Sequence, residues 1–194
     1  MAKLPIVTAE QLSEDQERVW QIVTDGRRGT AADLTDDAGG LVGPFNAMLV
    51  SPRVGQHLAA LGEVLRFDTS LSRDVVELAT IVVGARWRSN FEWAAHSRLA
   101  LRAGIAPEVV EAIRQGRDPV FTDGTSAAVY RLVTELLADG RVGDDTYEEV
   151  AAVVGDVGIV ELVALVGYYC LICFSLNTFE VPLRAGEAPA WPGR

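Results

Sequence analysis

The sequence predicts an all-α protein, and three observations carry this prediction. Apolar residues recur at helical spacing through most of the chain. Residues typical of helix starts precede these segments, as Ser13 does in Ser-Glu-Asp-Gln and Pro52 does at a first-turn position. Sustained period-two alternation bounded by hairpin turns, which would indicate strands, is missing. The sequence therefore predicts a bundle of helices.

The helices are expected in a definite order. A capping-box-like Ser13 opens the first, which ends near Gly26, and the Gly-, Asp- and Thr-rich residues 27–43 form a loop. The following helices are expected after Pro44, over 52–67, from Ser72 to about Trp87, and over 90–103, 107–115, 123–138, 144–154 and 156–178. The C-terminal GEAPAWPGR reads as an extended arm.

Length and charge limit the function. The 194 residues suit one domain with a substantial core. The formal net charge of −10 argues against nucleic acid and anionic membranes as partners, because both require basic patches. The N-terminus lacks the apolar run of a secretory signal, so a cytoplasmic location is expected.

Residues 162–179 carry no charge and reach the length of a membrane span. Acids flank this segment at Glu161 and Glu180, and basic anchors are missing at both ends. We therefore expect a core or subunit-interface helix rather than a membrane span. Together with the apolar residues 75–83, this helix indicates more apolar surface than a monomer needs, which favours oligomerisation.

Chemistry-bearing residues concentrate in the stretch from Glu77 to His96, which also holds Ser89 and Glu92. Glu92 and His96 are four residues apart, so on a helix the carboxylate stacks against the imidazole and can orient it. The alternative is a core histidine satisfied by a neighbouring acid. Glu77 lies in an apolar helix, so it is either paired with a distant partner, for which His96 is the candidate, or turned to solvent.

The same stretch carries a resemblance to a known family. The segment Phe-Glu-Trp-Ala-Ala-His at residues 91–96 resembles the pattern of the carboxymuconolactone decarboxylase branch of the AhpD-like superfamily. Redox members of that superfamily have a Glu, a Cys-x-x-Cys and a His at these offsets. Here Ser89 and Glu92 stand at the two cysteine positions. Weaker similarity extends through GLVGPFNAML and the C-terminal apolar helix, so that the resemblance spans roughly residues 10–184.

The resemblance implies a fold, an assembly and an activity. It implies a single AhpD-like helical domain over 1–194, with an N-terminal segment 1–10 and a C-terminal arm 185–194, assembled as a homo-oligomer, a trimer or hexamer. It implies a cofactor-independent carbon–carbon lyase that acts on a small organic acid or lactone by decarboxylation, proton shift or C–C cleavage. The alternatives are a protein related to AhpD-type hydroperoxide reductases, or a non-catalytic oligomer that binds small molecules.

Candidate roles follow from residue chemistry and from the resemblance. The candidate catalytic residues are Glu77, Glu92 and His96. His96 would shuttle the proton, Glu92 would orient the His96 ring, and Glu77 would serve as the acid or as a partner of His96. Arg86 or Arg88 could anchor a substrate carboxylate with a two-pronged contact. The expected substrate-binding set is Ser89, Arg86, Trp87, Trp93, Phe45, Asn46 and Tyr168. We expect no cofactor and no metal, although two glutamates and a histidine could form a three-ligand site.

Cys170 and Cys173 form a second candidate, a Cys-x-x-Cys inside the apolar C-terminal helix. A reactive pair needs a helix N-terminus or a nearby cation to lower a thiol pKa, and no His, Lys or Arg lies within ten residues before or after. Two small buried apolar side chains are the expected role. A peroxidase function would require this pair to fold beside His96.

Overall fold

Eight α-helices account for most of residues 3–29 and 34–193, which are the part of the chain that the computed structural model describes. Within these ranges the extended pairing amounts to two isolated β-bridges, so the all-α prediction is confirmed. After a 3-10 turn over Ala9–Gln11, the helices are α1 (Glu14–Thr24), α2 (Phe45–Val50), α3 (Pro52–Phe67), α4 (Arg73–Arg86), α5 (Asn90–Arg102), α6 (Pro107–Gln115), α7 (Gly124–Asp139) and α8 (Asp144–Thr178).

The predicted helix boundaries agree with the observed ones to within about two residues. Ser13 forms the predicted capping box: its hydroxyl accepts from the backbone N–H of Gln16, whose side chain accepts from the Ser13 N–H. Ser72 and Ser89 occupy the positions before α4 and α5, but neither side chain caps its helix. Residues 30–33 of the predicted loop 27–43 lie outside the described residues.

The two predicted C-terminal helices appear as one helix, α8, with a break at Gly155. This glycine has φ 69° and ψ 176°, a left-handed conformation that is strained for residues with a side chain. The break therefore falls between the predicted segments 144–154 and 156–178, and a non-glycine residue at this position would disfavour it.

The chain divides into two units, each with its own packing. The first comprises the described residues up to Asp68 together with Ser175–Pro182, and the second comprises Thr69–Phe174 together with the described residues from Leu183 onward. The single domain over 1–194 stays a prediction.

In the first unit, α1, α2 and α3 pack against one another. Gly55 on α3 lies against the backbone of Met48 on α2, where a Cβ would collide with the Met48 carbonyl oxygen. Asn46 fixes the N-terminal segment, because its Oδ1 accepts from the Val7 N–H at 2.9 Å and its Nδ2 donates to the Pro5 carbonyl at 3.0 Å. Phe45 lies under the Arg28 guanidinium, 5.7 Å from the ring centroid.

In the second unit, α4 is the central helix. Every residue from Val75 to Gly84 is buried, and α5, α6 and α7 all pack on α4. The C-terminal arm is held by Trp191, whose indole N–H donates to the Arg114 carbonyl at 3.2 Å and whose ring packs against Trp93 at 5.3 Å. The apolar stretch 75–83 is therefore buried within the chain itself and needs no second subunit to cover it.

α8 combines a buried face with an exposed apolar one. Leu162, Leu165 and Tyr169 are buried, whereas Val157 and Val160 are 65 % and 70 % exposed. In length and composition this helix could cross a membrane, but half of its most apolar window is buried within the structure. Core helices of proteins without a membrane span share that property, so the expectation of no membrane span stays a prediction.

Candidate active site

Two packed helices of the second unit, α4 and α5, bring the three candidate catalytic side chains together. Glu77 lies in the first half of α4, and Glu92 and His96 lie one turn apart on α5. The connection between the helices is only three residues long, so α5 returns directly along α4. This places Glu77 beside His96 although nineteen residues separate them in sequence.

The imidazole of His96 lies between two carboxylates. Its Nδ1 is 2.7 Å from Glu77 Oε2, and its Nε2 is 3.0 Å from Glu92 Oε1. Glu77 is fully buried, and Glu92 and His96 are 4 % and 6 % exposed. The predicted convergence of the three side chains is therefore found, and the alternative that Glu77 faces solvent is wrong.

Arg73 extends this buried cluster. Its guanidinium is 2.7 Å from Glu77 Oε1 and remains partly exposed at the surface. Arg73 was not among the predicted partners of Glu77, although the two residues are four apart on one helix, a spacing typical of an ion pair. The cluster therefore runs from Arg73 through Glu77 and His96 to Glu92, with charges of both signs, and this pairing offsets the cost of burying two carboxylates.

Both ring nitrogens of His96 face carboxylate oxygens, Nδ1 towards Glu77 at 2.7 Å and Nε2 towards Glu92 at 3.0 Å. The contact with Glu77 has the geometry of a hydrogen bond. A neutral imidazole carries one N–H, so it can donate to only one of the two carboxylates at a time.

Residues from α8 complete the surroundings. The ring of Tyr169 packs edge-on against His96 at 5.2 Å, and the ring of Tyr168 packs against that of Tyr169 at 5.5 Å. The tyrosine whose ring packs on His96 is Tyr169, one position after Tyr168, which stays a predicted substrate-binding residue. Ser89 is fully buried and interacts with the thiol of Cys173.

The two cysteines do lie near the cluster, but their chemistry is unfavourable for redox catalysis. Burial, reinforced by the charge of Glu92, raises the pKa of Cys173 far above that of a free thiol, and the polar Ser89 hydroxyl offsets this only in part. Burial also raises the pKa of Cys170, against the opposing effect of the Trp87 indole N–H, which lies 3.2 Å from its sulfur. Both thiols stay protonated at neutral pH, which makes them poor nucleophiles.

The other predicted substrate-binding residues make contacts of their own. Arg86 is nine positions after Glu77, which is about 180° around α4, and its side chain is exposed. The structure therefore does not bring Arg86 to the cluster. Trp87 and Trp93 contact Phe174 and Trp191, respectively, at ring distances of 4.7 and 5.3 Å. Phe45 and Asn46 belong to the first unit, where their contacts are described above.

The donor set is poorly arranged for a metal ion. Both ring nitrogens of His96 already face carboxylate oxygens. The ring therefore has no lone pair directed at a position that the two carboxylates could also coordinate. Among residues 3–29 and 34–193, no group of three or more His, Cys, Asp and Glu side chains has the geometry of a metal site.

The fold and the cluster define a class: an all-helical protein that buries an acid–imidazole–acid trio between two packed helices. Residues 52–135, which contain the whole trio, match the model of the Carboxymuconolactone decarboxylase family. The chain is therefore similar to this family over that segment. The resemblance read from residues 77–96 is thereby confirmed.

Solved structures support the fold. One match is the crystal structure of a protein of unknown function from Agrobacterium tumefaciens that has been proposed to be an antioxidant defence protein AhpD. It has a TM-score of 0.63 and 17 % sequence identity, and the match covers 72 % of this chain and 97 % of that one. A search of curated protein sequences finds no match.

Proposed function

We propose that this protein is a cofactor-independent acid–base enzyme of the carboxymuconolactone decarboxylase type, acting on a small organic acid or lactone. The observation that carries the proposal is the position of His96, with one carboxylate 2.7 Å from Nδ1 and another 3.0 Å from Nε2. A buried imidazole held at both nitrogens is oriented and has a proton to give or receive.

The partners of the carboxylates suggest different roles for them. Glu77 is paired with the Arg73 guanidinium, which favours its ionised form, so Glu77 holds Nδ1 protonated and fixes the ring. Glu92 lies on the other side of the ring, with Oε1 3.0 Å from Nε2. Because Nδ1 is held by the Glu77–Arg73 pair, we assign the movable proton to the contact between Glu92 and His96 Nε2.

Decarboxylation at this site balances with one proton. The bond between the substrate carbon and its carboxylate breaks, the electron pair moves into a conjugated carbonyl of the lactone, and carbon dioxide leaves. The proton from the Glu92–His96 contact then adds to carbon as the electron pair returns, and solvent restores the proton to the cluster. A proton shift would use the same pair, first as base and then as acid.

Access to His96 limits the substrate. The ring is 6 % exposed, and the edge of Tyr169 packs against it. We propose that a small substrate reaches the imidazole when the Tyr169 ring moves aside, a local motion of the gating kind.

The test is turnover of carboxymuconolactone, followed as release of carbon dioxide and as deuterium incorporation at carbon in D2O. The matched pair of variants is His96→Gln and His57→Gln, because His57 is the second histidine of the chain and is exposed on α3. Loss of turnover in the first variant but not in the second supports the proposal. Equal turnover in both, or no turnover by the wild type with any lactone or organic acid tried, contradicts it.

A peroxidase-related function is the second candidate, because Cys173 interacts with Ser89 and Glu92 at the positions where redox relatives carry their cysteines. The raised pKa of both thiols weakens this candidate. Thiol titration before and after stoichiometric hydrogen peroxide distinguishes the two functions: rapid loss of two thiols per chain would favour the peroxidase.

A non-catalytic protein that binds small molecules is the third candidate, favoured by the near-complete burial of the cluster. Tight binding of a lactone without any chemical change would support it.

We also propose that the protein is a cytoplasmic homo-oligomer, a trimer or hexamer, and that it binds neither nucleic acid nor membrane. The exposed apolar face of α8 supports the oligomer.

A further inference from the structure

A second candidate site lies in the same unit, in a cavity of about 760 Å³ among α4, α6, α7 and the C-terminal arm. None of Glu77, Glu92 and His96 lines it. Of its thirteen lining residues, three are arginines and none is an aspartate or glutamate. The whole chain has 27 acidic and 17 basic residues, so the charge of this cavity is opposite to that of the protein.

Two of the three arginines have charge available for a ligand. Arg114 is satisfied by Glu111, with contacts of 2.8 and 2.6 Å, and this pairing lowers the pKa of Glu111 to about 2. In the described part of the chain, Arg86 and Arg88 form no ion pair with a carboxylate, and both are exposed. Arg86 instead lies over the ring of Trp87, 5.1 Å from its centroid.

The backbone at Arg88 departs from what local structure alone would favour. Its φ is 46°, in the left-handed region, where it closes α4 with an N–H donated to Ala85 at 3.1 Å. Glycine or asparagine would occupy this position at a lower conformational cost. An arginine held in such a conformation at the rim of a cavity is more readily explained by what its side chain does than by its backbone.

The remaining walls suit an organic molecule. The Tyr130 hydroxyl keeps its proton as a donor, because burial and the charge of Asp118 raise its pKa. Trp191, Ile113 and Leu137 add apolar surface. Ligand sites typically combine a few convergent polar groups with apolar walls in volumes of about 300–1,000 Å³.

The helix dipole alone explains only some of the basic residues in this cavity. Basic residues in the last turn of a helix interact favourably with its dipole, as Arg86 does on α4 and Arg114 on α6. That effect requires neither a shared cavity nor the absence of acidic residues from its walls. It also leaves unexplained the arginine in a left-handed conformation beyond the end of α4.

We propose that this cavity binds a small organic anion, a carboxylate or phosphate ester on an apolar or aromatic body, through Arg86 and Arg88. The two guanidinium groups supply forked donors for the anion, and Trp191 with the apolar walls receives its body. The site is distinct from the acid–imidazole cluster, because Arg86 lies on the opposite face of α4 from Glu77. It therefore does not depend on the proposed enzymatic function.

Calorimetric titration with three probes of similar shape tests the proposal: benzoate, phenyl phosphate and the neutral benzamide. The expected result is that the wild type binds at least one of the anions and binds benzamide much more weakly. Whichever of benzoate and phenyl phosphate binds more tightly assigns the anion as carboxylate or phosphate ester. Failure of both anions to bind, or equal binding of benzamide, overturns the proposal.

Matched variants separate a built site from general charge attraction. The double substitution Arg86→Gln with Arg88→Gln should weaken anion binding at least about tenfold. The control, Arg53→Gln with Arg102→Gln, removes the same charge from exposed arginines outside the cavity lining and should leave binding within about twofold. Equal weakening in both double variants overturns the proposal. His96→Gln should keep anion binding, and a loss there would overturn the claim of a separate site.

Discussion

Nδ1 of His96 and Oε2 of Glu77 lie 2.7 Å apart in the interior of the second unit, although the two residues belong to different helices. With Arg73 on the far side of Glu77 and Glu92 on the far side of the ring, four ionisable groups form one chain of contacts, of which Glu77, His96 and Glu92 are buried and Arg73 is partly exposed. Such a chain costs free energy unless every member is paired, so its members affect both stability and reactivity.

The first prediction concerns turnover. His96→Gln should lower kcat/KM for an accepted lactone about 10²- to 10⁴-fold, which is the usual contribution of a positioned acid–base group. Glu92→Gln should lower it to a similar extent and should change the pH profile, because the pair shares the movable proton. Steady-state kinetics against pH provides the measurement. An unchanged pH profile in Glu92→Gln would remove Glu92 from the proton path.

The second prediction concerns stability. Glu77→Gln leaves the Arg73 guanidinium and the His96 ring without their shared carboxylate, and should lower the free energy of unfolding by about 3–5 kcal/mol. The control Glu148→Gln changes an exposed glutamate and should cost no more than about 0.5 kcal/mol. Urea denaturation of both variants gives the comparison. A similar small cost in each would mean that the cluster is not a strongly coupled unit.

The third prediction concerns alkaline pH. The folded protein holds the Cys173 proton more tightly than the unfolded chain, whose thiol pKa is about 8.5. This contribution is therefore complete below about pH 8.5 and is lost as the pH rises, with a slope of at most about 1.4 kcal/mol per pH unit. Cys173→Ala should flatten the alkaline fall in stability relative to the wild type.

Thiol labelling gives an independent check on the same residue. Cys173 should react with iodoacetamide slowly in the folded protein and quickly in denaturant, because the nucleophile is the thiolate. Fast labelling of Cys173 in the native state at neutral pH would contradict the raised pKa and would strengthen the peroxidase alternative.

The fourth prediction concerns assembly. Exposed small or apolar residues recur along α8 at alternating spacings of three and four, which is the repeat of a helix that packs against a copy of itself. They are Val157, Val160, Ala164, Gly167, Leu171 and Phe174. Val160→Glu with Leu171→Glu should shift the protein to monomers in analytical ultracentrifugation.

The control for assembly is Val120→Glu, because Val120 is 85 % exposed and lies outside α8. It should leave the oligomer intact. A monomeric wild type would contradict self-association, and flotation of the wild type with lipid vesicles would assign the apolar face of α8 to a membrane instead.

Much of the fold could be predicted because its signals are local. Ser13, Pro52 and Pro107 mark helix starts by their own backbone preferences, and the structure places helices there. The Arg73–Glu77 pair carried an equally local signal, a spacing of four, and was overlooked. The spacing of nine between Glu77 and Arg86 likewise places these residues on opposite faces of a helix.

Other features had no local signal. Nothing in the order of Tyr168 and Tyr169 shows which ring packs against His96, because that depends on how α8 is rotated about its axis. The same holds for Cys173, whose contacts with Ser89 and Glu92 join residues more than eighty positions apart.

By itself, the sequence determined the helices, the stacking of Glu92 on His96 and the resemblance to the carboxymuconolactone decarboxylase family, since each follows from spacing within one segment. The tertiary structure decided that Glu77 and Arg73 complete the cluster, that the cysteines lie beside it as protonated thiols, and that Arg86 and Arg88 belong to a different cavity. The physical reason is that helical periodicity fixes which side chains lie on the same face of a helix. The packing of the helices then fixes which residues of other helices that face contacts.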